Sequence, residues 1–312
     1  MAFNNMIFNE ILKRGYKEEG KIRVWDISDS KLWYLTSKQS QKFLDMEKDK
    51  SYKRAIIKTE VDLIKNNFSS IIEEMKAQAY NIIDIGCGDG KKASQFISKF
   101  SNNFNIRYCP IDISPYMIQK ALKNIRKLKI GDILESNWNI SDFENLDNVT
   151  LLFRNPIFKN HFMLFLGNTM GNFASNNILQ AIRKSMKKGD FLLIGNGIFK
   201  KVNDELINAY YNRSTIDFLI QLILLIGFES KDVEYNVRFV NYRIEVCFKV
   251  LVNKTIEHFG KKLEFKKDDL IIAGISYKYT KSELKSILNK FFPKVRLFYN
   301  SKETYALALC SV

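Results

Sequence analysis

The stretch from Asn81 to Lys92 reads Asn-Ile-Ile-Asp-Ile-Gly-Cys-Gly-Asp-Gly-Lys-Lys, and it limits the fold more than any other segment of the chain. A short apolar strand, 81–85, runs straight into a glycine-rich turn, and the spacing predicts a helix over 93–100. Gly86, Gly88 and Gly90 allow a tight turn and let a ligand approach the backbone without meeting a Cβ. Free N–H groups at the start of the following helix then face whatever sits there. A second apolar segment, 106–111, ends in Asp112. An acidic residue roughly twenty residues past such a turn can accept both hydroxyls of a ribose. Loop and carboxylate together describe a nucleoside-cofactor site.

The glycine spacing narrows the cofactor. A dinucleotide fingerprint is Gly-x-Gly-x-x-Gly, and a Walker loop closes a longer turn with Gly-Lys-Ser or Gly-Lys-Thr. Here Asp84 leads an Asp-x-Gly-x-Gly-x-Gly pattern that Lys91 and Lys92 follow. This form resembles motif I of class I S-adenosylmethionine methyltransferases. That donor has no pyrophosphate, so the glycines need only admit its amino-acid end and sulfonium.

From about residue 60 onward, strands and helices alternate. Helices are predicted over 60–79, 115–127 and 177–186, and apolar strands over 162–166 and 191–194. These strands are continuous apolar runs, as expected of a parallel sheet covered on both faces. The alternation breaks after Lys200, where a helical stretch, 203–227, precedes two partly alternating strands, 236–240 and 243–252. It resumes with a helix over 280–292 and closing strands at 295–299 and 305–310. The expected architecture is α/β: a doubly wound, Rossmann-like core from 61–200 and 281–312. A second lobe for substrate is expected from 1–60 and 201–280, with 1–60 helical in character.

Composition bounds the rest. The chain has 312 residues, 46% of them hydrophobic, enough for a sizeable core. Met1 opens a polar segment with no apolar core of a signal peptide, and the run 218–228 is too short to span a bilayer, so a cytoplasmic protein is expected. Cys87, Cys109, Cys247 and Cys310 are scattered and read as reduced core thiols. With only His161 and His258 besides, no metal-ligand spacing emerges. The net charge of +15 admits a nucleic-acid partner, but the lysines fall singly or in pairs within a chain rich in Lys, Asn and Ile throughout. Nucleic acid is therefore not the favoured partner.

Leu164–Phe173 reads Leu-Phe-Leu-Gly-Asn-Thr-Met-Gly-Asn-Phe. It resembles the Leu-Gly-Ser-x-x-Gly-Asn-Phe segment of the histidine-specific methyltransferase family, whose type member acts in ergothioneine biosynthesis. Further landmarks follow in order: Pro110-Ile111-Asp112, Lys188-Gly189-Asp190, Ala209-Tyr210, Arg243-Ile244-Glu245 and Ser276-Tyr277-Lys278-Tyr279. The resemblance implies that Tyr52, Gly86, Gly88, Lys92, Asp112 and Asp132 hold S-adenosylmethionine, with Asp112 on the ribose and Asp132 near the adenine amine. It implies that Asn172 and Tyr210 clamp the carboxylate of an amino-acid acceptor and that Tyr34 lies close to the amine. Gly274 and Ser276 would line the acceptor site.

Two departures bear on the acceptor. Histidine binders of the family carry Glu two positions before the serine, and here that position is Gly274. Losing this partner for an imidazole N–H opens space and removes a contact worth several kcal/mol of discrimination. The family's Tyr-Tyr-Pro-Thr-Arg-x-Glu segment survives only as Ser51-Tyr52-Lys53 and, after a gap, Lys58-Thr59-Glu60. The expected activity is methyl transfer to the amine of an amino acid or related small molecule other than free histidine. The alternatives are methylation of a protein side chain or RNA, and a non-catalytic donor-binding subunit.

Overall fold

The structure, a computed structural model, describes residues 5–133 and 146–312. By backbone contacts the chain divides into two compact units. One comprises residues up to Met46 with Val202–Tyr277, and the other Glu47–Lys201 with Lys278–Val312. The expected boundaries place 47–60 with the first unit; instead this stretch belongs to the second, because Glu47 and Glu60 are bonded inside it.

The larger unit is built on a seven-stranded sheet: β1 (Ala79–Ile85), β2 (Asn105–Ile111), β3 (Asp132–Ile133), β4 (Asn160–Phe165), β5 (Phe191–Gly197), β6 (Lys294–Tyr299) and β7 (Tyr305–Ser311). Its order is β6-β7-β5-β4-β1-β2-β3. Strands β3, β2, β1, β4 and β5 pair in parallel, and β7 runs antiparallel to both β5 and β6. This is the doubly wound order with one reversed strand that the sequence anticipates for a class I methyltransferase core. Central strands are buried along almost their whole length, which explains their unbroken apolar runs. Helix Lys91–Phe100 buries Ala93, Phe96, Ile97 and Phe100, and the Phe96 ring stacks on Phe162 of β4 at 4.8 Å. Helix Thr59–Ile72 ends sooner than predicted, since the turn through Ala77, whose N–H donates to the Tyr80 hydroxyl, already leads into β1.

In the smaller unit a five-stranded sheet takes the order Lys17–Glu19, Ile22–Asp26, Leu270–Tyr277, Arg243–Val250, Val233–Val240. Helices Asn5–Arg14 and Arg213–Ile226 belong to the same unit, and a hairpin pairs Lys254–His258 with Lys261–Phe265. Two corrections follow. Residues 1–60 are not helical throughout, because 17–19 and 22–26 form strands. The helix predicted over 203–227 is two helices, Asp204–Asn208 and Arg213–Ile226, since the Asn212 side chain caps a fresh start by accepting from the Thr215 N–H at 2.8 Å. Among the described residues no helix is long and apolar enough to cross a membrane.

Candidate functional site

The turn after β1 is held from outside. The N–H groups of Gly86 and Cys87 both donate to the Ile111 carbonyl at the end of β2, at 2.8 and 3.1 Å. Gly86, Gly88 and Gly90 have φ of +68°, +53° and +74°, which L side chains rarely adopt. Their surroundings differ. A Cβ at Gly88 would meet nothing within 4 Å, whereas one at Gly90 would fall 2.9 Å from the Ala121 Cα of helix Pro115–Arg126. Gly88 leaves room for a ligand, and Gly90 lets two helices close.

Asp112 is tied to this turn. One carboxylate oxygen accepts from Gly88 N–H at 3.0 Å and the other from Ser114 N–H at 2.9 Å. Burial pushes its carboxyl up to about 6, against the pull of those N–H groups and of Lys92. Each oxygen keeps acceptor capacity for a hydroxyl. Asp84, buried near the end of β1, accepts from the Tyr108 hydroxyl at 2.7 Å and is pushed by burial to about 7. Asp89 caps the next helix through Lys91 N–H at 3.1 Å and pairs with the Lys91 ammonium. An open glycine facing a carboxylate with spare lone pairs fits the ribose of S-adenosylmethionine.

Lys92 is engaged with Glu47 at 2.8 Å. Burial disfavours its ammonium, but Glu47, Tyr52 and Glu60 outweigh that and raise its pKa. Glu60 is fully buried; its Oε1 accepts from Gly167 N–H at 2.9 Å and from the Tyr305 hydroxyl at 2.7 Å. Between Tyr52 and Glu60 the backbone forms a π-helix, Lys53–Lys58, continuous with Thr59–Ile72. The gap in the family segment is thus a helical bridge, and both of its ends act electrostatically on Lys92.

After β4 the chain turns through Gly167 and Asn168. Asn168 has φ +63°, its side-chain oxygen accepts from Gly197 N–H, and its own N–H donates to the Gly195 carbonyl at 3.2 Å. The loop is therefore pinned to the end of β5. It leads into a short 3-10 turn, Thr169–Asn172, at whose last position Asn172 stands half-buried. So the larger unit brings Gly86, Gly88, Asp112, Lys92 and Tyr52, as well as the Asn172 turn, to the carboxyl ends of its parallel strands, where ligands bind in open α/β sheets. Asp132 is not brought there. It pairs with Arg107, about 16 Å back along β2 from Asp112 at the usual rise per residue, and is exposed.

Tyr34, Tyr210, Gly274 and Ser276 lie in the smaller unit. The half-buried Tyr34 ring packs on Phe43 at 5.4 Å and Phe218 at 5.8 Å. Tyr210 follows helix Asp204–Asn208, and its carbonyl accepts from the Tyr235 hydroxyl at 2.8 Å. Gly274 sits beside a β-bulge in Leu270–Tyr277, where the Trp33 indole N–H donates to the Ala273 carbonyl at 2.7 Å. The space expected at Gly274 is already taken: an added Cβ would fall 3.0 Å from Leu219 Cδ1 and 3.7 Å from the Trp33 ring. Ser276 is buried two positions on, opposite Ile244. Glu245, also buried, accepts from Arg238 at 2.7 Å and Arg243 at 2.8 Å.

The sequence reading passed over Glu47 and Tyr305 and saw Glu60 only as a motif remnant. The signal for Glu60 was available: it shares the buried stripe of its helix with Leu63, Ile64 and Ile71, where a carboxylate demands partners.

A family model described as histidine-specific, S-adenosylmethionine-dependent methyltransferase matches residues 37–312. Among curated proteins, an L-tryptophan methyltransferase of Psilocybe serbica is 24% identical over 245 residues, 67% of this chain and 66% of that protein. A malonyl-[acyl-carrier protein] O-methyltransferase of Ilyobacter polytropus is 32% identical over 83 residues, 26% of this chain and 28% of that protein. The chain thus spans less than two thirds of either relative. Among solved structures, an S-adenosylmethionine-dependent methyltransferase of Clostridium acetobutylicum covers 87% of this chain and 98% of its own length, at 11% identity and a TM-score of 0.45.

Proposed function

The chain belongs to the histidine-specific, S-adenosylmethionine-dependent methyltransferase family, and from that premise we propose that it methylates the amine of an amino acid, or a closely related small molecule, whose side chain is apolar rather than an imidazole. The observation that carries this is the neighbourhood of Gly274. Where a histidine binder places a carboxylate, Leu219 and the Trp33 ring present aliphatic and aromatic surface. A polar ring pressed against that surface would lose its hydrogen bonds to water without replacement. The Psilocybe relative, named for L-tryptophan, supports the same reading.

S-adenosylmethionine supplies an electrophilic methyl group on its sulfonium. In this proposal Asp112 accepts from the ribose hydroxyls, the Gly86–Gly90 backbone admits the donor's amino-acid end, and Lys92 and Tyr52 serve that end. Asn172 and Tyr210 orient the acceptor's carboxylate, and Tyr34 attends its amine. Asp132 has no part, given its position opposite Arg107. The acceptor must reach the methyl group as a neutral amine. Apolar surroundings lower an ammonium pKa, and a tyrosine hydroxyl or water passes the proton on, so alignment is the chief demand on the protein.

The test is a panel of free amino acids incubated with methyl-labelled S-adenosylmethionine and the purified protein, with products identified by mass spectrometry. Label is expected on the amine of amino acids with apolar or aromatic side chains, ahead of histidine. Histidine as the best acceptor, or label entering only protein or RNA from lysate, would overturn the acceptor assignment.

A further inference from the structure

The amino-acid end of S-adenosylmethionine is a zwitterion, and the residues already assigned to that end offer one charged partner, Lys92. A lysine suits the carboxylate; the α-ammonium beside it calls for an anion. Several acidic side chains stand around the turn after β1, and most are committed. Asp112 holds the Gly88 and Ser114 N–H groups and faces the ribose in the donor reading. Asp84 accepts from the buried Tyr108 hydroxyl at 2.7 Å. Asp89 caps helix Lys91–Phe100 and pairs with the Lys91 ammonium. Glu60 is fully buried against Gly167 and Tyr305.

Glu47 differs. Its Oε1 lies 2.8 Å from the Lys92 Nζ, and the pair is sheltered without being sealed, with side chains 10% and 15% exposed. The pair also stands at the strand ends. Lys92 is the second residue of the helix that follows the glycine turn. An added Cβ at Gly167, just after β4, would fall 2.6 Å from its Nζ, so the ammonium lies across bare backbone. The loops after β1 and β4 are neighbours there, since a Cβ at Gly86 would fall 3.3 Å from Thr169 Cγ2. If Lys92 alone turned to the donor's carboxylate, Glu47 would be left as a sheltered charge without its partner, which is strongly unfavourable. An α-amino acid presents both charges side by side. Admitting it between the two side chains replaces one ion pair with two and leaves neither protein charge alone.

We propose that Glu47 binds the donor directly: the Lys92–Glu47 ion pair opens to admit the amino-acid end of S-adenosylmethionine, Lys92 taking the carboxylate and Glu47 the α-ammonium. This rests on the donor reading and is independent of the acceptor.

The experiment titrates wild type and Glu47→Gln calorimetrically with three ligands. They are S-adenosylhomocysteine, its analogue that keeps the carboxylate but lacks the α-amino group, and 5′-methylthioadenosine, which lacks the whole amino-acid end. Melting temperatures check the fold. Saturable binding of S-adenosylhomocysteine by wild type tests the donor reading by itself; its absence would overturn that reading and this proposal with it. Wild type should bind S-adenosylhomocysteine about tenfold or more tighter than the desamino analogue. Glu47→Gln should lose about tenfold for S-adenosylhomocysteine and nothing for the other two ligands. Tighter binding of S-adenosylhomocysteine by the variant would make Glu47 a placeholder that the donor displaces. Equal losses for S-adenosylhomocysteine and its analogue would make Glu47 only a support for Lys92. Either result, or no loss at all, would overturn the proposal. Should Glu47→Gln not fold, the wild-type comparison still decides, because equal affinity with and without the amino group contradicts an anion set to receive it.

Discussion

Two of the buried glutamates, one from each unit, carry opposite arrangements. Glu245 in the smaller unit is 2% exposed and gripped by Arg238 and Arg243 at 2.7 and 2.8 Å, with Arg238 held in turn by Glu19. Glu60 in the larger unit is 0% exposed, its charged neighbour Lys92 is bonded to another residue, and one oxygen is left over. A carboxylate between two guanidiniums is locally satisfied and has nothing to offer a ligand. One held by a hydroxyl and an N–H, with its other oxygen bare, is pushed by burial toward its neutral form. The difference separates a scaffold from a site: the sheet of the smaller unit closes its charges on themselves, and the strand ends of the larger unit do not.

The largest effect should come from breaking the satisfied pair. Glu245→Ala leaves two arginines facing a buried gap and should destabilise the protein by about 3–5 kcal/mol in chemical denaturation. Donor affinity of the remaining folded protein should be unchanged; a loss of donor binding without loss of stability would contradict the contrast. Next in size, Asp112→Ala should weaken S-adenosylmethionine binding at least about 100-fold, roughly 2.7 kcal/mol, with a modest drop in melting temperature because the Gly88 and Ser114 N–H groups lose their acceptor.

Acid–base behaviour sharpens the same comparison. Asp84 and Asp112 are raised from 3.8 to about 7 and about 6 by burial. The folded chain therefore keeps protons that the unfolded chain releases near 3.8, so the contribution of these two carboxyls to stability should fall as pH rises from about 4 to 7, while His161, lowered by burial to about 4, works the other way up to about 6.5. Each carboxyl contributes at most about 1.4 kcal/mol per pH unit. Asp84→Asn should flatten the upper part of that slope in thermal melts. Donor affinity should move the other way, weakening as pH drops through about 6, because a protonated Asp112 accepts less well. Affinity that is flat from pH 5 to 8 would count against Asp112 as the ribose acceptor. The smallest effect belongs to Gly274→Ala, whose new Cβ would press Leu219 at 3.0 Å and cost about 1 kcal/mol in stability, with a modest rise in acceptor KM.

Much of the larger unit was legible in the sequence because burial on both faces writes itself as unbroken apolar runs such as Phe162–Phe165. The glycine turn was legible because only glycine takes those φ values cheaply. The smaller unit was harder. Lys254–His258 and Lys261–Phe265 are short, polar and half-exposed, and their turn, Phe259-Gly260 with φ of +47° and +70°, places a bulky residue where Asn or Gly is the usual signal. Asp132 was misplaced because strand register is set by neighbours rather than by distance along the chain. Gly274 looked like a vacancy because a missing side chain says nothing of what fills its place, and Leu219 lies far away in sequence.

The most direct measurement is titration of the purified protein and of Asp112→Ala with S-adenosylmethionine under identical conditions. Saturable one-to-one binding by the former, lost in the variant while it still melts in one cooperative transition, is the predicted result. Equal binding by both proteins would contradict the assignment of the donor to the turn after β1.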